Sequence, residues 1–212
     1  HQAWEQLECH PTRGIRLRHR VRWVSYDGEP WIDETRSLAL SEVAEAGEHG
    51  GWWALDFATT LTCVSPHPLV FGSPTTHGRA RAGYGGLFWR GPRSFLKGEI
   101  LAAGGLSGPD TMGHPAPWLA YIGRHDGTDG PAAAQSPTVS RSTLVFSDYP
   151  DSFRYPTKWF VRDEPYGCAS FAVTFDEEHT LHEGQSFALR HRIVVADGAL
   201  RREQIEALVT RP

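Results

Sequence analysis

The stretch IRLRHRVRWVSY, residues 15–26, alternates without a break. Ile15, Leu17, His19, Val21, Trp23 and Ser25 fall on one face. Arg16, Arg18, Arg20 and Arg22 fall on the other. A period of two is the mark of a β-strand buried on one side, its charged row solvated or paired. Asp27-Gly28 follows and supplies a hairpin turn. The run 31–40 (WIDETRSLAL) then reads as the return strand, with Glu34 and Arg36 placed to pair across with the arginine row.

Outward from that hairpin the pattern repeats. Strands are expected at 51–63, 83–90, 118–124, 142–147, 158–162, 169–176 and 186–196. Turn signals separate them at Gly104-Gly105, Asp126-Gly127, Glu183-Gly184 and Asp197-Gly198. Only 199–209 reads as a helix, on the stripe Leu200, Gln204, Ile205, Leu208. Two stretches, 102–117 and 125–141, read as long irregular loops. The expectation is an all-β, antiparallel β-sandwich with a short C-terminal helix, one domain over 1–212.

Composition narrows the function classes. The chain has 212 residues, 40% hydrophobic and 22% charged, and a formal net charge of −4. That leaves no basic footprint for nucleic acid, and no apolar run approaches a membrane span. Arginine outnumbers lysine nineteen to two and asparagine is absent, a bias that a GC-rich bacterial genome produces. Cys9, Cys63 and Cys168 are widely spaced and odd in number. They read as buried or half-buried free thiols of a reducing, cytoplasmic compartment. The first residue is His1, and the expectation is a chain lacking its N-terminal segment.

Eleven histidines invite a metal reading, but no H-x-H, H-E-x-x-H or H-x-D/E spacing occurs. His179 and His182, in EEHTLHEG, read as part of a polar turn. His191 shares a stripe with Phe187, Leu189, Ile193 and Val195 and reads as a core histidine. No metal site and no cofactor is expected. GYGGL, residues 83–87, lacks the lysine of a phosphate-binding loop, so its glycines read as places of close backbone approach.

Two segments concentrate arginine, aromatic and carboxylate residues, 71–93 and 146–162. Hydroxyls take hydrogen bonds from such groups, and sugar C–H faces stack on aromatic rings. The expected ligand is a small sugar or sugar derivative. His77 or His114 would transfer protons with Asp148 as carboxylate partner; both histidines lie in Gly/Pro-rich segments. Arg79, Arg90, Arg154 and Arg162 would hold oxygens, and Tyr84 and Trp159 would form stacking walls.

The same segments carry a resemblance. FGSP (71–74), GYGGLFWRGPRSF (83–95), WLAYIGRHDG (118–127), the D-x-P…P-T-x-W-F-V-R run ending at Arg162, and L-x-x-G-x-x-F-x-L-R-H-R-I-V-V-A-D-G ending at Gly198 occur in this order. This resembles the bacterial PmoA-like family, labelled for methane oxygenase. The methane oxygenase subunit of that name is an integral membrane protein, and no segment here spans a bilayer, so methane oxidation is rejected. The resemblance implies instead a β-sandwich of the galactose-mutarotase type, with members beside enzymes of sugar metabolism. Members usually carry a D-H-x-x-H-H-x-G motif further N-terminal, which this sequence lacks. Position His191 tends to be tyrosine in similar sequences, which suits packing with one polar contact. The reading is a carbohydrate-related protein, a sugar-active enzyme of epimerase, lyase or hydrolase type. One alternative is a non-catalytic glycan or protein binding module. Another is a metal-dependent oxidoreductase with ligands in an N-terminal segment.

Overall fold

The alternation of residues 15–26 places every second side chain of a long strand against one layer. In the computed structural model that strand is one of eight in a single antiparallel sheet. The structure describes residues 2–10, 14–47, 50–126 and 140–210, with backbone alone for 41–47. The strands are β1 (Gln2–His10), β2 (Gly14–Val24), β3 (Pro30–Gly47), β4 (Gly50–Cys63), β5 (Leu69–Phe71), β6 (Phe88–Arg90) and β7 (Glu99–Ala102). There follow β8 (Trp118–Arg124), β9 (Arg141–Asp148), β10 (Trp159–Arg162), β11 (Cys168–Phe171), β12 (His179–Leu181) and β13 (Ser186–Asp197). The helix α1 spans Arg202–Val209. The large sheet runs β1-β2-β3-β4-β13-β9-β8-β7, and two small sheets, β10-β11-β6 and β12-β5, form the facing layer. The chain is thus an all-β sandwich with a short C-terminal helix.

Register fixes which residues face inward. Phe146 opposes Ile193, Ile193 opposes Leu55, and Leu55 opposes Leu40. The inner face of β7, β8, β9 and β13 packs on Trp159, Val161, Ala169 and Phe171 of the three-stranded sheet. A second cluster joins Ile32, Leu61, Phe187 and Leu189 to Leu181 and Leu69 of the two-stranded sheet. The outer face is covered by α1, whose Ile205 is fully buried among Trp118, Val145 and Val194. The inner face of β1 and of the adjoining half of β2 has no covering layer among the described residues: Trp4 and Leu7 are 62% and 71% exposed.

Several expected boundaries change. The strand at 83–90 shrinks to Phe88–Arg90, because Gly86 sits at φ +89 and turns the chain. The strand at 169–176 ends at Phe171, where Phe175 N–H bonds back to the Ala172 carbonyl. EEHTLHEG is not wholly a turn: its His179–Leu181 pairs with Leu69–Phe71. The stretch 102–117 carries two short 3-10 turns, Ala103–Gly105 and Gly108–Thr111, and is stitched to Leu101 by a bridge at Ser107. The core of the loop 125–141, residues 127–139, lies outside the described residues. Cys9 is exposed rather than buried; Cys63 and Cys168 are buried. No helix among the described residues is long and apolar enough to cross a membrane.

Candidate functional site

The expected catalytic group does not assemble. His77 lies in an exposed turn, its Nε2 3.8 Å from Glu178. His114 is also exposed, in the segment leading to β8. Asp148 is buried at the end of β9 and is bonded elsewhere. Its Oδ1 takes the His191 Nδ1 at 3.1 Å and the Tyr149 N–H at 3.1 Å; its Oδ2 takes the Thr157 N–H at 2.9 Å. His191 is wholly buried, its ring stacked on Phe171 at 3.8 Å. The pair pins the 148–157 loop to β13, and neither member reaches the surface.

The expected binding group divides in the same way. Trp159 cannot form a stacking wall: it is fully buried, with its indole N–H on the Ala116 carbonyl at 2.8 Å. Arg154 is spent on the backbone, donating to the carbonyls of Val173, Glu177 and Glu178 at 2.7–2.9 Å. Arg90 and Arg162 both oppose Cys168 in register, so they flank it on the outward face of the three-stranded sheet. Arg90 lies over the Tyr166 ring, Arg162 over Phe160, and Tyr84 meets the same Phe160 edge-on. Arg79 stands in the exposed turn with His77. Burial pushes the Cys168 thiol up to about 11, against the nearby arginines, so it is no nucleophile at neutral pH.

A different constellation forms on the inner face of the large sheet. Trp4, His19, Arg36 and Thr59 stand opposite one another across β1 to β4. Val21, Glu34 and Leu61 make the next row. Glu34 is only 3% exposed. Its Oε2 accepts from Arg36 Nη2 at 2.8 Å and from the Trp23 indole at 2.7 Å. Its Oε1 accepts from Thr59 at 2.7 Å and from Arg36 Nε. Four donors occupy the acceptor capacity of a carboxylate. Burial alone would raise its pKa, but bonds from Arg36, Thr59 and Trp23 and the Arg36 charge outweigh it and hold Glu34 below the ordinary range.

His19 sits beside this knot. Its ring stacks on Trp4 at 5.1 Å, and its Nδ1 meets the Gln2 side-chain nitrogen at 2.7 Å. Gln2 donates there, so the ring proton belongs on Nε2. That atom is buried and has no hydrogen-bond partner among the described residues. A buried N–H without an acceptor is costly and rare.

The knot adjoins a cleft of about 120 Å³ between the large sheet and the β5–β12 pair. Trp23 lines it together with Leu61, Phe71, Phe153, His179 and Phe187. Burial and the Arg154 charge hold the His179 imidazole below its usual value, so it is neutral at neutral pH. Among the described residues no three His, Cys, Asp or Glu side chains converge as a metal-ligand set.

Sequence reasoning missed this site, although its signal was present. Glu34 and Arg36 are two apart in a strand, hence on one face. That they share His19's face rather than the arginine row's depends on register. Asp33 takes the expected cross-strand place, pairing with Arg22 at 2.6 and 2.7 Å. A model of DUF6807, a family of unknown function, matches residues 1–210. No curated protein matches the chain.

Proposed function

The chain belongs to the DUF6807 family of unknown function, and we propose that it binds a sugar or sugar derivative on the inner face of β1–β4. The observation that carries this is the Glu34–Arg36–Thr59–Trp23 knot, whose Arg36 and Trp23 stay partly exposed beside the exposed Trp4. Saccharide hydroxyls and ring oxygens are acceptors for Arg36, which keeps about a third of its side chain exposed. Trp4 and Trp23, both partly exposed, offer faces for C–H stacking. The earlier likeness to the PmoA-like family, with its sugar-metabolism neighbours, supports the same ligand class, as fold-level analogy.

In this reading Glu34 is an orienting group. A carboxylate held ionised by four donors is a weak base, but it fixes Arg36 and Trp23. The full engagement of Glu34 also favours a second reading, a sugar-binding module without turnover.

A thermal-shift screen against sugars, keto-sugars and sugar acids tests the proposal. A ligand at 100 times its Kd stabilises by about 2.7 kcal/mol, a midpoint rise on the order of 5–10 °C for a chain of this size. The rise is expected for one sugar class in the native chain and is expected to be lost in Trp4→Ala, an exposed position. A flat screen, or an equal rise in the variant, contradicts the proposal. Turnover of the hit by the native chain marks an enzyme; binding with no turnover marks a module.

A further inference from the structure

The cleft beside the knot has a different chemistry. Its walls are mostly carbon: Phe153 and Phe187 approach at 4.9 Å, and Phe71 meets Phe187 edge-on at 5.4 Å, with Thr174 and the Gly85-Gly86 backbone at the edge. The one titratable group is His179, its ring 4.5 Å from Phe153 and making no hydrogen bond among the described residues. Sugars, which carry hydroxyls on most carbons, would leave those groups unpaired here. The cleft measures about 120 Å³ and opens to one side. A closed apolar cavity of about 150 Å³ is known to take benzene. One six-membered apolar ring therefore fits, with part of it at the mouth.

Position joins the two sites. Leu61 of the cleft is the direct cross-strand partner of Glu34, and Leu189, also in the cleft, is that of Thr59. Side chains paired in this way stand about 5 Å apart. Trp23 belongs to both, donating its N–H to Glu34 while its ring walls the cleft. A sugar on the knot is thus next to the cleft across the shared Trp23.

We infer that the substrate or ligand class is a glycoside whose aglycone is an aromatic or apolar ring, seated in the cleft against the contacting pair Phe153 and Phe187. The inference rests on the sugar site proposed above. His179 is the positioning residue: its imidazole lines the cleft beside Phe153 and bonds an oxygen carried by the ring seated there.

Calorimetry with methyl and phenyl glycosides of the same sugars tests it. The phenyl compound is expected to bind at least ten-fold tighter to the native chain. Phe153→Ala is expected to reduce that preference below three-fold. Because this variant can also loosen the core, saturation-transfer NMR on the native chain gives a second readout. The strongest transfer is expected at the aryl protons. Equal affinity for methyl and phenyl compounds overturns the inference and leaves the sugar site standing. A preference untouched by Phe153→Ala, with weak aryl transfer, overturns the placement in this cleft. Phenol binding as tightly as the phenyl glycoside overturns the glycoside class. Binding of neither glycoside brings down the sugar site and the inference together.

Discussion

Glu34 decides the character of the site, because it is ionised where a carboxylate has almost no water. Its four donors are the reason, and they make a pH prediction. The folded carboxyl titrates below its ordinary 4.5, so its stabilisation is fully present above about pH 4.5 and is lost as pH falls through the folded value. Asp33 titrates low as well, chiefly through its hydrogen bonds from Arg22, so the comparison must be between native chain and variant. Urea midpoints of the native chain and Glu34→Gln should differ most near pH 7 and converge as pH drops below 4.5. A difference constant from pH 7 to 3 would show that the ion contributes nothing. His191 shows the opposite lesson at this scale. An apolar stripe through Phe187 and Val195 marked it as core, and it is core. Asp148 looked available only because its three partners are brought to it by the loop that follows and by β13.

The long strands were legible because alternation is strong over ten residues, while register was not. The β2–β3 hairpin carries an irregularity between Trp23 and Val24. A shift of one residue exchanges the two faces of a strand. That is why Asp33, and not Glu34, meets the arginine row. The three- and four-residue strands β5, β7 and β12 were unreadable, being too short to show a period. Glycines in GYGGL do mark close approach. A Cβ at Gly86 would lie 2.4 Å from the Phe171 carbonyl, at φ +89, whereas one at Gly104, φ +72, meets nothing within 4 Å. Gly86→Ala is therefore expected to destabilise by about 1–3 kcal/mol, and clearly more than Gly104→Ala, in chemical denaturation. Equal costs would contradict the tight passage of this segment over β11.

For the whole molecule, fold class followed from turn spacing and strand chemistry, and the C-terminal helix from its stripe. The candidate site did not follow, because it is composed across strands far apart in sequence: Gln2, His19, Glu34 and Thr59 meet only once the sheet is registered. Clusters of arginine and aromatic residues near one another in the chain drew attention instead. The sheet pleat then sent Trp159 inward and Arg162 outward, to opposite sides of one small sheet. The central claim is that ligand binds at the knot on the inner face. The most direct measurement is a proton–nitrogen NMR titration of the tryptophan indoles, eight in this chain, with Trp23→Phe assigning the key signal. With the phenyl glycoside, the Trp23 and Trp4 indole signals are predicted to move most, since one bonds Glu34 and the other stacks on His19. Saturable binding that leaves both signals in place would contradict the account.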